Sequence, residues 1–355
     1  STRVRSSAAS DVYKRQSQEW ETIKDDWTQV SMSPGADETK MNFAWYSKEG
    51  EETGLVYGTS SDLSDGQSAE ITQTSAQEGY LSNKTTLENL QPGTTYYYQV
   101  EGKEIESFTT DDDTSDFSFI FVGDPQIGSS NEEKAKTPED IQKPTFLTAQ
   151  SEAVRNDTFN WNYTLNRAYS RTGNSAGFIL SSGDQIQTNA EKVEDGTVSE
   201  MEYAGYLSPD IMKSVPVATT VGNHDADNAN YTYHFNTANL SSLGDNGYVG
   251  GDYYFTYGDA LFIILNTQDT NVSEHKQFIE DTVAANPECK WRIVTLHQDI
   301  YGSAEHSNEP EITNLRYSLV PIFEENDVDI VLTGHDHAYS RTKILKGGQS
   351  TTEFE

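Results

Sequence analysis

Two textures of apolar and polar positions divide this chain. From about residue 27 to 110, short alternating segments lie between turn clusters: "KMNFAWYS" (40–47), "GLVYGTS" (54–60), "AEITQTS" (69–75) and "TTYYYQVEG" (94–102). Aromatic and β-branched residues at this spacing predict an antiparallel β-sandwich of roughly 90 residues. From residue 117 the pattern changes to continuous apolar runs: "FSFIFVGD" (117–124), "GFILSSGD" (177–184), "PVATTVGN" (216–223), "ALFIILNT" (260–267), "WRIVTLHQ" (291–298) and "VDIVLTGH" (328–335). Each reads as a strand buried on both faces. Between them, "SEHKQFIEDTVAAN" (273–286) and "EITNLRYSLVPIFEEN" (311–326) carry the spacing of amphipathic helices,. The alternation predicts an α/β domain with central strands. The polar, charged stretch "TTDDDTSD" (109–116) separates the textures, so the expected domains are a sandwich over 20–113 and an α/β domain over 114–355,.

Composition narrows the function classes. With 355 residues and 34% hydrophobic content the chain has room for two domains and a large core,. No apolar run is long enough for a membrane span,. A formal net charge of -33 argues against a nucleic-acid-binding surface or an anionic membrane partner, since both need a basic face,. Cys289 is the only cysteine, which excludes an internal disulfide and a thiolate-built zinc site,. Residues 1–19 hold four basic and two acidic residues in an otherwise acidic chain. Their "SSAASDVYKRQ" (6–16) reads as foreign sequence of the kind a translated library adaptor leaves, so 1–19 is set apart as a non-native or disordered tail,. The closing "GGQSTTEFE" has no terminating element, and truncation is expected there too.

Chemistry gathers at the ends of the apolar runs. Five of the six are followed by a small or turn residue and then a metal-capable side chain: Asp124, Asp184, Asn223, His297, and His335 with His337. Sites in α/β sheets lie beyond the carboxyl ends of the strands, so these six can converge on one rim. Carboxylate, amide and imidazole without sulfur suit zinc, manganese, iron or nickel. The set is too large for one tetrahedral ion and suits two metals sharing a carboxylate.

In the order "GDPQ", "GDQIQ", "GNHD", "TLHQ", "GHDH", these blocks resemble those of the calcineurin-like metallophosphoesterases. "LENLQPGTTYYYQV" (87–100) resembles the late strands of a fibronectin type III sandwich, which makes the purple acid phosphatase branch the best match. The resemblance implies an all-β sandwich followed by a four-layer α/β/β/α fold, and two divalent or mixed-valence transition metal ions (Fe, Zn or Mn). It implies that Asp124 serves the first metal, Asp184 bridges, Asn223, His297 and His335 bind the second, and His337 returns to the first. A bridging hydroxide would then attack phosphorus in line, metals dominating the local field of an acidic protein. His224 matches the histidine that contacts phosphate and protonates the leaving group, with Asp225 as its orienter. His306 falls where plant relatives place a second substrate-contacting histidine.

Two positions depart from the family pattern. Gln126 stands where many relatives have a histidine, and Gln187 where purple enzymes have the tyrosinate ligand. The first metal then has Asp124, Asp184 and His337, with Gln126, Gln187 or water completing its shell. Without a phenolate at 187 the iron-loaded protein is expected to be colourless or weakly coloured. His234 and His275 read as packing residues, and Arg341 as the partner of a local carboxylate. The expected function is hydrolysis of small phosphorylated substrates, phosphomonoesters first. The alternatives are a phosphodiesterase or nucleotidase of the same superfamily, and a catalytically inactive cell-surface binding protein. A secreted or surface location, with the sandwich associating with a cell wall or surface, completes the expectation.

Overall fold

A computed structural model describes residues 2–77, 79–133, 135, 137–188, 197–226 and 229–350. The chain opens with helix α1 (Thr2–Ile23), followed by strands β1 (Ser31–Pro34), β2 (Met41–Lys48), β3 (Leu55–Gly58), β4 (Gln67–Ser68), β5 (Thr72–Ser75), β6 (Tyr80–Leu87), β7 (Thr95–Val100) and β8 (Glu106–Thr109). The strands form two four-stranded antiparallel sheets, β1-β2-β6-β5 and β4-β3-β7-β8. Met32, Phe43, Trp45, Leu55, Leu87, Tyr98, Val100 and Phe108 fill the space between them. Strand β7 alternates buried and partly buried positions, as a half-covered strand should,. Strand β2 does not: seven of its eight residues are buried. Its second face is covered by the neighbouring domain, which the alternating pattern could not disclose.

The second domain contains β9 (Ser118–Val122), α2 (Pro138–Ile141), α3 (Pro144–Arg171), β10 (Ala176–Ser181), α4 (Thr197–Leu207), β11 (Val217–Thr219) and α5 (Asn230–His234). It continues through β12 (Tyr253–Tyr257), β13 (Ala260–Ile264), α6 (Val272–Ala285), β14 (Trp291–Thr295), α7 (Pro310–Glu325) and β15 (Ile330–Leu332). Parallel strands β11-β10-β9 form one sheet; in the other, β12-β13-β14-β15, only the β12–β13 pair is antiparallel. The two sheets face each other through Phe178, Leu180, Ala218, Phe255, Phe262 and Ile293. Val154, Trp161 and Leu165 of α3 and Tyr203 of α4 pack on the outer face of the first sheet against Ile120, Ile179 and Val217. Phe278 and Ile279 of α6, with Leu315 and Leu319 of α7, cover the second against Leu261, Ile263 and Val294. This is the expected α/β/β/α order. β9, β10 and β11 run parallel and end at one edge of their sheet, as β14 and β15 do at theirs, and bonds from His297 to Ser182 and from His335 to Asp124 join the two edges into one rim.

Residues set apart as a tail are, from Thr2 onward, part of α1. The helix is held by Trp20, buried with its indole N–H donating to Ser151 Oγ at 3.0 Å, and by Arg155, which lies 4.6 Å over the Tyr13 ring. The last five residues of "GGQSTTEFE" lie outside the described residues.

Candidate metal centre

Each donor stands where a strand meets a sharp turn, though not every such strand is buried on both faces as expected: in β9 only Ile120 is buried, and in β15 none of the three residues is, because Phe121 and Ile330 face outward. Asp124 follows β9 through Gly123 with φ 51°, and Asp184 follows β10 through Ser182 and Gly183 with φ 51°. Gln126 (37°), His335 (72°) and His337 (51°) also have left-handed backbones. Such non-glycine conformations cost on the order of 1–3 kcal/mol each and persist where surrounding structure enforces them, commonly at functional sites. Glycines let the loops close on one another. A Cβ on Gly222 would lie 2.1 Å from Asp184 Oδ1, and one on Gly334 would lie 2.6 Å from Asp124 Oδ2.

The six predicted donors come together. His297 is fully buried, and its Nδ1 faces the carbonyl oxygen of Ser182 at 2.9 Å, an acceptor that places the ring proton on Nδ1,. The other nitrogen, Nε2, therefore carries a lone pair. It faces Asn223 Oδ1 at 3.0 Å, His335 Nδ1 at 3.1 Å and Asp184 Oδ2 at 3.3 Å. Asp184, His297 and His335 offer three ligand atoms all within 4.8 Å of one another. On the other side of Asp184, His337 Nε2 lies 3.5 Å from Asp124 Oδ1. Asp124 also accepts the backbone N–H of His335 at 2.9 and 3.0 Å.

Electron pairs outnumber protons here, and this is the test of whether a cation fits. Among the described residues no lysine or arginine pairs with Asp124 or Asp184; their only ion-pair partners are histidines. Burial pushes the Asp184 carboxyl up and the His297 imidazole down, but their mutual attraction prevails, holding the carboxyl below and the imidazole above its ordinary range. Positive charge beside the Asp184 carboxylate is thus favoured at this point of the structure. Burial, with the imidazoles of His297 and His306 beside it, pushes His335 down to about 4, so that ring stays neutral, the form that binds metal,. Two carboxylates, an amide oxygen and three imidazoles at these spacings fit a transition-metal pair.

The remaining predicted residues divide. His224 lies on the rim: its N–H donates to Asp184 Oδ1 at 2.8 Å and its Nδ1 meets the Gln187 carbonyl oxygen at 2.6 Å, leaving Nε2 for a substrate. The His306 ring centroid is 4.5 Å from that of His335, and its Nδ1 meets Glu309 Oε1 at 2.8 Å. Gln126 donates its amide to Gln187 Oε1 at 3.3 Å, so the two glutamines face each other. Asp225 is not an orienter of His224. Its fully buried carboxylate accepts from Gly222 N, Gln185 N and Gln185 Nε2, and ties the two loops together from beneath. Arg341 is exposed and, among the described residues, forms no ion pair with a carboxylate, contrary to expectation. His275 is structural, closed on Asp252 Oδ2 at 2.8 Å and the Asp269 carbonyl at 2.9 Å.

Two supporting residues escaped the sequence reading. Asp336, between the paired histidines, accepts the backbone N–H groups of Ala304 at 2.7 Å and His306 at 2.9 Å, and so holds the loop that carries His306. Glu202 is fully buried under the loop of Gln187, accepting from Gln187 N, Thr188 N, Thr188 Oγ1 and Gln150 Nε2. Burial pushes its carboxyl up to about 8. No local pattern marks either residue, because their partners lie on other loops.

Comparison with known proteins agrees with this geometry. A family profile described as Calcineurin-like phosphoesterase matches residues 117–339, and one described as Purple acid Phosphatase, N-terminal domain matches residues 27–117. Purple acid phosphatase 4 of Arabidopsis thaliana is 26% identical over 198 residues, covering 50% of this chain and 56% of that protein. Probable purple acid phosphatase 20 of the same plant is 24% identical over 321 residues, covering 85% of this chain and 66% of that protein. The chain thus spans less than two thirds of the length of both relatives. A solved structure, the sensor domain of the anti-sigma factor RsgI4 in Pseudobacteroides cellulosolvens, is 19% identical. It covers 24% of this chain and 89% of that chain with a TM-score of 0.18, too low to bear on the fold.

Proposed function

Because the chain belongs to the calcineurin-like phosphoesterase family, with a purple acid phosphatase N-terminal domain before the catalytic fold, we propose that it hydrolyses phosphate monoesters at a dinuclear metal centre. The observation that carries this reading is the convergence of Asp184 Oδ2, Asn223 Oδ1 and His335 Nδ1 on the lone pair of His297 Nε2. Asn223, His297 and His335 would hold one ion, Asp124 and His337 the other, and Asp184 both. Of the two glutamines, Gln126 is the better donor to the second of these ions, because the Gln187 amide oxygen already accepts from Gln126. A metal pair bound there supplies positive charge for phosphate oxygens and lowers the pKa of water.

The protein's own groups do the rest. His224, its Nδ1 fixed on the Gln187 carbonyl, presents Nε2 to a phosphate oxygen or to the leaving group,. His306, held through its backbone by Asp336 and through its ring by Glu309, contributes a second imidazole beside His335. No helix among the described residues is long and apolar enough to cross a membrane. A secreted or surface location belongs to the same proposal and rests on the resemblance to plant enzymes.

The test compares a chromogenic phosphomonoester, a phosphodiester and a nucleotide with the protein freed of metal and then reloaded with zinc, manganese or iron. The expected result is metal-dependent turnover fastest on the monoester, reduced to background by Asp184→Ala. Full activity in that variant, or the absence of turnover with every metal and ester, ends the reading; faster turnover of the diester or nucleotide replaces the monoester specificity.

A further inference from the structure

The strand buried on both faces, β2, leads to a second role for the sandwich. Its outer face and that of β6 meet α5, the short helix that begins six residues after His224. Sandwich side chains cap the end of that helix. Lys84 Nζ donates to the carbonyl oxygen of Thr232 at 2.6 Å, and Ser82 Oγ to that of Tyr233 at 2.7 Å. Asn42 Nδ2 donates to the Asn236 carbonyl at 2.9 Å, and Asn236 Nδ2 returns a bond to the Thr85 carbonyl at 3.0 Å. Tyr46 stacks on His234 at 4.3 Å and donates its hydroxyl to Glu200 Oε1, while His234 Nε2 meets Glu200 Oε2 at 2.7 Å.

A helix of five residues cannot sustain itself, since nucleation is unfavourable and most carbonyls of its last turn lack a partner within the helix; Tyr231 O alone accepts from Phe235 N,. Here the carbonyls of Thr232 and Tyr233 are satisfied from the other domain, and the Lys84 ammonium also complements the negative end of the helix,. The opposite side of α5 is tied to the donor rim. Tyr231 shares a 2.8 Å hydrogen bond with Thr219 Oγ1, at the end of the strand that leads to Asn223 and His224. We propose that the sandwich is a positioning domain for the catalytic rim: through Lys84, Ser82 and Tyr46 it holds α5, and through α5 it fixes the loop that presents Asn223 and His224. These residues touch no reacting group and act through the helix. The link to turnover rests on the proposed function; the link to loop order does not.

The test uses the full chain carrying Lys84→Met with Ser82→Ala, the milder Ser82→Ala alone, and Thr72→Ala on the exposed edge strand as control. Hydrogen exchange is followed at amides 229–236 and 221–226, zinc binding by calorimetry, and turnover as kcat and KM. The double variant is expected to lose protection at both segments, to weaken one of two zinc-binding steps about ten-fold, and to lower kcat about ten-fold with KM nearly unchanged. The control should match the parent. Loss of protection at 229–236 with 221–226 unchanged overturns the proposal, as does unchanged protection at both. If the double variant does not fold, the same two segments decide in Ser82→Ala. If the parent turns over no phosphate ester, the phosphatase reading fails while exchange at 221–226 still decides the clamp.

Discussion

His275 and His297 are both fully buried beside a buried aspartate, yet they are built for different purposes. His275 is saturated, one nitrogen on Asp252 and the other on the Asp269 carbonyl. His297 spends one nitrogen on a carbonyl and turns the other toward an amide oxygen, a carboxylate and a second imidazole. Burial alone therefore does not separate a structural histidine from a ligand. The count of electron pairs left without a proton does.

The largest expected effect breaks that comparison on one side. His297→Ala should lower turnover on the order of a thousand-fold and remove one equivalent of bound metal, with folding retained; assay and metal analysis on the purified variant check both. Near-parental turnover would place His297 in the same class as His275. Conversely, His275→Phe strands the buried Asp252 carboxylate and should cost about 3–5 kcal/mol of stability, while activity per folded molecule stays near the parent; chemical denaturation and active-site titration measure the two.

A smaller effect concerns Lys84, whose ammonium burial pushes from 10.5 down to about 8. A folded-state value below the unfolded one means that folding disfavours the charged form. The unfolded chain therefore binds more protons between pH 8 and 10.5, and this group makes stability rise with pH across that window, by at most about 3 kcal/mol. In Lys84→Met the slope of stability against pH between 8 and 10.5 should be shallower than in the parent, by thermal melting at each pH. Equal slopes would mean that Lys84 keeps its ordinary pKa. Smallest is an optical effect: the iron-loaded protein should lack a strong band in the violet-to-pink range because Gln187 offers no phenolate, and a strong band would show another residue supplying one.

Much of the rim was legible in sequence because each donor follows a short run of apolar residues of strand length, and strands in such a sheet share an exit edge, even where, as in β9 and β15, the strand is only partly buried. "VDIVLTGHDH" states both the strand and the two imidazoles that leave it. The supports were not legible. Asp225 follows His224 directly, but the turn aims its carboxylate at Gly222 and Gln185 instead. Tyr46 and Glu200 lie 154 positions apart, and no periodicity within either segment announces their hydrogen bond. Helix α3, 28 residues long, leaves no clear pattern in the sequence because its buried positions, including Gln150, Arg155 and Thr158, are partly polar and blur the apolar stripe. The packing role that the sequence suggests for His234 agrees with its stacking on Tyr46, but its bond to Glu200 needs the fold.

The left-handed backbones around the centre also limit how its chemistry can be redesigned. A β-branched or bulky replacement at Asp124, Gln126, Asp184, His335 or His337 must pay for its conformation before it contributes a new donor,. Position 187 carries no such restriction, since its residue is not among those with positive φ. Grafting a phenol there is accordingly the simplest route to a chromophoric variant of this scaffold, whereas a β-branched or bulky residue at position 126 works against the peptide chain itself,.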